Sequence, residues 1–529
     1  MKLIRRFLIL SHRYLGIALG LLFAMWFATG IAMIYGRSLP RMTPELRLDR
    51  LQPLDLSRVR VSAAEAIARA DLDREPGQVS LVTVMGRPAY RLGSRVVFAD
   101  TGEPLRRLSE TDARAIASQF TRIPADRLSY AGTLTNPDQW TLTIRQSPLY
   151  KFAADDDART EVYVAGRSAD VVMFTTRGSR ALAWVGAIPH FMYFTALRTQ
   201  QELWRAVVLW TSGLGIVLAA LGIVLGLVQL RITRPVRLAR LSSYLPYSGM
   251  MRWHYITGLV FGVFAFTFVF SGWLSMEPWG WATSAGRFGG GLREAFTSSP
   301  GVLADFPMVE ADRWAPMQQD RAIKEIEHVR IQDQPYYVVR RTLHEDARTE
   351  NRGHQPYYAD RSQDPGRLLI AAQTLDRHQQ AFTSAALLER VRTAVPEAQI
   401  VESALLPSYD SYYYSRERAA PLPVLRVKLN DPESTWLYID PLMSQLVGRV
   451  HRLDRVERWI YNGFHSLDFA FWYDKRPLWD IVMITLCLGG FSVSMFGVVL
   501  GWRRVRRAAV RAASGATAPG RSPAPEPTR

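Results

Sequence analysis

Cysteine is almost absent from this chain of 529 residues, since Cys487 is the only one. A single cysteine excludes intrachain disulfides and any metal site built from several thiolates. Cys487 itself lies within a long apolar run. Each folded region of the chain must therefore be stabilised by its own hydrophobic core.

Asp, Glu, Lys and Arg are missing from four long stretches, at residues 14–36, 206–230, 253–276 and 481–502. Each stretch exceeds the roughly 20 residues that an α-helix needs to cross a bilayer. The first apolar run is too long for a signal peptide and no small-residue cleavage site follows it, so we interpret it as a retained anchor. The sequence therefore predicts four transmembrane helices.

Acidic residues are also missing from the loop between the second and third stretches, residues 231–252, which contains five arginines. Basic residues cluster again before the first stretch and after the fourth, and these clusters account for much of the net charge of +17. The positive-inside rule then places both termini and this loop in the cytoplasm. The basic charge is thus a topology signal, so the expected partner is the lipid bilayer and no nucleic acid is expected.

These assignments divide the chain into eight segments. They are the cytoplasmic N-terminus and first helix (1–36), a first outer domain (37–202), the second helix (203–230), the basic loop (231–252), the third helix (253–276), a second outer domain (277–477), the fourth helix (478–502) and a basic, disordered tail (503–529). In a bacterial cell the outer domains would be periplasmic. The prediction is a multi-pass protein of the bacterial inner membrane with both termini in the cytoplasm.

A histidine-centred pattern occurs twice in the same register. From His12, glycines follow at offsets of four, eight and eighteen residues and a threonine at seventeen; from His254 the same offsets give glycines and a serine. A longer match, without insertions, surrounds two further histidines. Its members are Tyr163, Val172, Arg177, Arg180, Trp184, His190 and Trp204 in one half, and Tyr438, Val447, Arg452, Arg455, Trp459, His465 and Trp479 in the other. We therefore predict two tandem repeats.

The outer segments are predicted to be α+β. Ser62 and Glu65 form the pattern of a capping box that opens a helix, and strand-like runs follow at 79–85, 88–92 and 95–99. A similar strand ending recurs along the chain, at 97–100, 357–360 and 437–440 and, without its aspartate, at 162–165. Each outer domain is thus expected to contain two small units, each made of a helix and a hairpin sheet.

Together, the spans and outer units resemble the PepSY-associated transmembrane family. The resemblance is carried by HRYLGIALGLLFAMWFATGI at 12–31, its echo at His254, and VVFADTGEPL at 96–105. The family includes membrane-bound reductases of ferric siderophores, which carry haem between their helices, and members whose substrate is unassigned. The resemblance implies two periplasmic PepSY-like domains on a four-helix membrane protein. The outer domains are larger than in compact siderophore reductases, which leaves the substrate open.

The four repeated histidines differ in depth. His12 and His254 lie at the cytoplasmic ends of their helices, whereas His190 and His465 each precede by fourteen residues a tryptophan at the outer entry of the next helix. Depth therefore pairs His12 with His254 and His190 with His465, one from each half. Haem b takes two axial imidazoles from opposite faces, so we predict two haem b groups with these four histidines as iron ligands. Attachment is expected to be non-covalent, because the chain has no C-x-x-C-H motif.

Other interpretations of these residues stay open. Interfacial histidines are often merely solvated, the glycines that follow His12 and His254 are often helix-packing positions, and a proton relay would also use histidine. Zinc is disfavoured because two imidazoles leave a tetrahedral site incomplete. Four repeated arginines are candidates to bind haem propionates or, equally, lipid headgroups; they are Arg177, Arg180, Arg452 and Arg455. Tyr409, Tyr412, Tyr413 and Tyr414, followed by Arg416, suggest either an aromatic ligand site or a packed loop.

The predicted function is a di-haem oxidoreductase that passes electrons across the membrane to a periplasmic acceptor. The resemblance suggests a ferric siderophore, although another acceptor is allowed. No strand-linked G-x-G-x-x-G is present, so the donor is expected to be a separate cytoplasmic molecule or a quinone. Two other classes remain: a periplasmic regulatory or peptidase-binding protein without redox activity, and a transporter component.

Overall fold

The computed structural model describes residues 2–36, 39–70, 72, 76–144, 146–230, 245, 247–280, 292, 295–296, 301–319, 322–342, 367–414, 420–469, 471–473 and 475–516. Within them the helices are α1 (Lys2–Tyr35), α2 (Pro44–Arg50), α3 (Ala63–Arg69), α4 (Glu110–Thr121), α5 (Arg177–Val185), α6 (Ala187–Phe191), α7 (Thr195–Arg198), α8 (Gln201–Gln229), α9 (Gly249–Leu274), α10 (Ala311–Gln318), α11 (Ser384–Ala394), α12 (Arg452–Glu457), α13 (Phe464–Ser466) and α14 (Leu478–Ala516). A π-helical turn, Arg458–Gly463, joins α12 to α13.

The strands in the described part of the chain fall into three antiparallel sheets. They are β1 (Val79–Val84), β2 (Arg87–Leu92), β3 (Arg95–Phe98), β4 (Leu128–Leu134), β5 (Leu149–Ala154), β6 (Glu161–Ala165), β7 (Val171–Thr175), β8 (Ile323–Ile331), β9 (Gln334–Arg341), β10 (Arg367–Ala371), β11 (Ile400–Leu406), β12 (Val424–Leu429), β13 (Trp436–Asp440) and β14 (Gln445–Val450). The strands and capping box predicted after residue 60 are confirmed, since Ser62 and Glu65 exchange hydrogen bonds at the start of α3. The strand predicted at 357–360 lies outside the described residues.

Among the described residues, four helices are long and apolar enough to cross a membrane, and they cover the four predicted spans; they are α1, α8, α9 and α14. Each of α1 and α9 packs along both α8 and α14, so α1 and α9 lie at opposite corners of a four-helix bundle. Aromatic side chains fill the centre, where the rings of Phe27 and Phe268 lie 6.3 Å apart. The bundle thus buries side chains from both halves of the chain.

The tail differs from its prediction. Residues 503–529 were expected to be disordered, but α14 continues without a break to Ala516. Residues 503–513 are mostly arginine and alanine, which are strong helix formers, so the helix extends beyond its apolar part. Residues 517–529 lie outside the described residues.

The two outer segments are not separate domains, because one sheet runs through both. Its strand order is β10-β9-β8-β1-β2-β3, and β1 of the first segment pairs antiparallel with β8 of the second. A single core lies against this sheet and contains Tyr90 from one segment and Trp314 and Tyr337 from the other. Arg47 adds a two-pronged ion pair to Glu325 across the same junction. The first units of the two segments therefore form one body.

The second units remain distinct and lead directly into the bundle. One has α4 on the sheet β4–β7, and the other has α11 on the sheet β11–β14. Immediately after β7 the chain enters α5 and α6, and immediately after β14 it enters α12, the π-helical turn and α13. Helix α6 packs on α1, while α13 packs on α9. These two short connections carry His190 and His465 into the bundle.

Candidate functional site: two histidine pairs in the helix bundle

The inner pair consists of His12 on α1 and His254 on α9, whose ring centres lie 6.3 Å apart at an interplanar angle of 38°. His12 Nδ1 lies 3.1 Å from the Leu218 carbonyl oxygen on α8, and His254 Nδ1 lies 3.1 Å from the Val493 carbonyl oxygen on α14. A carbonyl oxygen only accepts, so Nδ1 carries the hydrogen in both rings. The lone pair of each imidazole is therefore on Nε2, ready to bind a metal ion.

Each inner histidine faces a glycine on the helix that anchors it. A Cβ at Gly222 would lie 3.0 Å from His12 Cε1, and a Cβ at Gly497 would lie 3.4 Å from His254 Cε1. These contacts are tight enough that a larger side chain would displace the ring. The histidine-centred pattern does not include these glycines, but a second repeat does: GIVLG at 222–226 matches GVVLG at 497–501.

The outer pair consists of His190 on α6 and His465 on α13, with ring centres 6.2 Å apart and an interplanar angle of 71°. His190 Nδ1 lies 3.1 Å from Thr29 Oγ1 on α1, and His465 Nδ1 lies 3.1 Å from Ser271 Oγ on α9. Both hydroxyls already donate to carbonyl oxygens of their own helices, so their oxygens accept from the histidines. The Nδ1 hydrogen is thus fixed here as well, again leaving Nε2 as the donor of a lone pair.

Main-chain carbonyls support the outer histidines in equivalent places. His190 hydrogen-bonds the Trp26 backbone, and His465 Nδ1 lies 3.0 Å from the Phe268 carbonyl oxygen. The glycines after the two hydroxyl residues give the rings room. A Cβ at Gly30 would lie 4.0 Å from His190 Cε1, and one at Gly272 would lie 3.2 Å from His465 Cε1. Both halves therefore build the same environment around their histidine.

The ring spacing tests which metal centre these pairs fit. With metal–nitrogen bonds of about 2.0–2.1 Å, two imidazoles on opposite sides of one ion place their ring centres about 6.4 Å apart, against about 5.2 Å at a tetrahedral angle. The observed 6.3 and 6.2 Å are closer to the first of these distances than to the second. Among the described residues, the only group of three or more His, Cys, Asp or Glu side chains with ligand atoms in reach of one another is elsewhere. If either pair bound a metal ion, the other ligands would come from outside these side chains, as they would from a haem group.

The two pairs lie near opposite ends of the bundle. His12 and Thr29 are both on α1, and their offset of seventeen residues corresponds to about 26 Å of helix. Since Thr29 bonds His190, this length approximates the separation of the two sites along the bundle. The depth pairing predicted from the sequence is the pairing that the structure shows.

The glycines one and two turns after His12 and His254 differ in their surroundings. A Cβ at Gly20 would lie 3.0 Å from Val498 Cγ2, so Gly20 permits close packing of α1 on α14. The nearest neighbour of a Cβ at Gly16 is Leu218, and one at Gly262 would contact Ile223. A Cβ at Gly258 would meet nothing within 4 Å, which leaves open space beside α9. The glycines beside the histidine rings are instead Gly222 and Gly497, together with Gly30 and Gly272 at the ends of the repeated pattern.

The four repeated arginines lie where the outer units meet the connections to the bundle. Arg180 donates to Thr175 Oγ1 and to the Arg159 carbonyl oxygen, and Arg455 donates to the Ser434 carbonyl oxygen. Both guanidinium groups are thus engaged within their own units. Arg177 and Arg452 are exposed at the starts of α5 and α12. A propionate-binding role for the four stays a prediction.

The tyrosine cluster packs on its own unit. Tyr413 is buried and stacks on Tyr438 with ring centres 4.9 Å apart, and its hydroxyl donates to the Pro421 carbonyl oxygen. Tyr409 donates to the Ala420 carbonyl oxygen, and Tyr412 accepts from the Trp459 indole. These contacts agree with a loop packed on its own unit, which is one of the two interpretations of the tyrosines. Arg416 lies outside the described residues.

The fold and the paired histidines define a multi-pass membrane protein with β-rich units attached to a four-helix bundle. The chain belongs to the family described as the PepSY-associated TM region, whose model matches residues 10–504. This confirms the resemblance noted in the sequence. A comparison with curated proteins finds no significant match.

Proposed function

We propose that the chain is a di-haem transmembrane oxidoreductase, with one non-covalent haem b between His12 and His254 and another between His190 and His465. The axial spacing of the two ring pairs carries this proposal. Bound haem supplies one-electron transfer chemistry that no amino-acid side chain here provides. The protein contributes the Nε2 ligands, and its Nδ1 hydrogen bonds fix each ring's tautomer and orientation.

The proposal includes a tandem duplication. Equivalent residues of the two halves make equivalent contacts: Leu218 and Val493 accept from the inner histidines, and Thr29 and Ser271 from the outer ones. A pseudo-twofold axis between the halves would then run along the membrane normal. Each site would receive one ligand from each half.

We further propose that both termini are cytoplasmic and that the outer units are periplasmic, in a bacterial inner membrane. The arginine clusters at one set of helix ends support this orientation through the positive-inside rule. Electrons would enter at the His12–His254 end from a cytoplasmic or quinone donor. They would leave at the His190–His465 end, next to the outer units.

The proposed acceptor is a ferric siderophore. One electron converts its ferric iron to ferrous iron, which hard oxygen ligands hold less tightly, so the metal is released from the chelate. Support for this acceptor comes from the resemblance noted in the sequence, since the PepSY-associated transmembrane family includes reductases of ferric siderophores. The chain's own role is to place the redox groups across the bilayer and not to supply acid–base chemistry.

The test uses purified protein reconstituted in vesicles, with donor on the side of the arginine clusters and a ferric chelate on the other. The wild type should produce ferrous iron, measured with a ferrous-specific dye. His190→Ala and His465→Ala should abolish this product while the inner haem is still reduced by the donor. Ferric reduction that continues at wild-type rate in both variants would refute the proposed path. A haem-free visible spectrum of the wild type would instead favour a regulatory or transport role.

A further inference from the structure

A second group of ligand-type side chains lies in the outer part of the second half. Asp431 and Glu433 are in the loop between β12 and β13, and His451 follows β14. One ligand atom from each of the three lies within 4.8 Å of the others. His451 is only 4 % exposed and Asp431 5 %, whereas Glu433 reaches partly into solvent. The cluster is therefore built into the unit and open on one side.

The hydrogen bonds around His451 leave ligand atoms unused. Thr435 Oγ1 donates to Asp431 Oδ2 and lies 3.0 Å from His451 Nδ1. Glu433 Oε2 is also 3.0 Å from Nδ1, but it is not aligned for a hydrogen bond. Among the described residues, Glu433 Oε2 and His451 Nε2 are both buried atoms without a hydrogen-bond partner. Two buried polar atoms that lack partners in one cluster are costly, unless something else binds them.

The first half contains the same loop without the cluster. Thr160 donates from its backbone and its hydroxyl to Asp156, as Thr435 does to Asp431. Arg177 N donates to the Ala158 carbonyl oxygen, as Arg452 N does to that of Glu433. The equivalents of Glu433 and His451 are thus Ala158 and Thr176. The loop of the first half folds without this glutamate and histidine, and Thr176 and His451 both occupy the N-cap position of the helix that follows.

We propose that Asp431, Glu433 and His451 bind one divalent transition-metal cation. The donors would be one ring nitrogen and two carboxylate oxygens, completed by water on the exposed side. Imidazole with carboxylates suits zinc and the other late first-row cations, whereas Mg²⁺ and Ca²⁺ prefer oxygen ligands alone. This site is separate from the histidine pairs of the bundle and does not depend on the proposed redox function.

The test measures zinc on the whole chain in detergent, without a histidine tag and after removal of metals with a chelator. Zinc per chain is determined after dialysis, with haem iron counted separately and Mg²⁺ as the hard-cation comparison. Wild type should bind about one more zinc than Glu433→Ala or His451→Thr, and its affinity should be at least about tenfold higher. These substitutions install the residues of the first half, where the same loop is folded. Equal zinc binding by the wild type and both variants would overturn the proposal.

A reciprocal variant tests whether the same site can be created in the first half. Ala158→Glu combined with Thr176→His places the second half's side chains on the first half's loop, and zinc per chain should rise by about one. Thermal unfolding measures whether each variant is folded. If the two loss variants do not fold, the reciprocal variant decides, and unchanged zinc binding in it contradicts the proposal.

Discussion

The inner and outer histidine pairs share a ring spacing but are assembled differently. His12 and His254 belong to the long helices themselves, and their Nδ1 hydrogens meet main-chain carbonyls. His190 and His465 come from short connections that follow the outer units, and they rely on side-chain hydroxyls as well as carbonyls. The inner site is therefore complete when the bundle forms, whereas the outer site also requires the outer units to be folded and docked.

Replacing one histidine of a pair should have the largest effect. His12→Ala or His254→Ala should remove the same haem, because either change leaves one axial ligand, while the outer haem stays. His190→Ala or His465→Ala should remove the other haem and leave the inner one. Reduced-minus-oxidised spectra with haem quantification measure both. The double variant His12→Ala with His190→Ala should lose both haems. If it loses only one, the two histidines share a site.

Filling the glycine space should weaken only the inner site. Gly222→Ala would place a Cβ 3.0 Å from His12 Cε1, so the ring must shift and haem retention should fall by about tenfold. Gly497→Ala meets His254 Cε1 at 3.4 Å and should have a smaller effect. Gly16→Ala on α1 is the matched control, since its nearest neighbour is Leu218 at 3.8 Å. The measurement is the rate of haem loss to an external haem acceptor. A control that loses haem as fast as Gly222→Ala would contradict this explanation.

Removing the hydroxyls should affect only the outer site, and more mildly. Thr29→Val and Ser271→Ala each remove a hydroxyl that accepts a hydrogen bond from a histidine Nδ1. The carbonyls of Trp26 and Phe268, which also accept from these rings, remain. Loss of such a supporting hydrogen bond typically costs 10–100-fold in metal affinity, and we expect the lower end, about tenfold. Thr29→Ser keeps the hydroxyl and should behave as wild type. Redox titration should show a changed midpoint potential for the outer haem and an unchanged one for the inner haem. Equal changes in both potentials would argue against the assignment.

The sequence predicted those features that depend on local pattern or on the repeat. Charge-free stretches gave the four helices, a capping box gave the start of α3, and the matched offsets paired the histidines correctly. Depth was sufficient for the pairing because a helix converts residue number directly into distance. The contacts of Gly222 and Gly497 were also within reach, since they lie in the same repeat.

Features that depend on distant pairing were not predicted. The β1–β8 junction joins residues 79–82 to residues 325–328, and nothing in either strand's own pattern specifies a partner so far along the chain. The hydrogen bonds of the Arg180 and Arg455 side chains likewise depend on carbonyl oxygens in neighbouring loops. The helix from 503 to 516 was missed because the composition of the tail suggested disorder, whereas its arginines and alanines continue α14.

Haem stoichiometry is the most direct test of the central claim. The pyridine haemochrome assay, set against protein concentration from amino-acid analysis, should give two haem b per chain in fully loaded protein. All of that haem should be extractable with acidic acetone, because its attachment is non-covalent. A reproducible value of one or zero in fully loaded protein would contradict the two-site account.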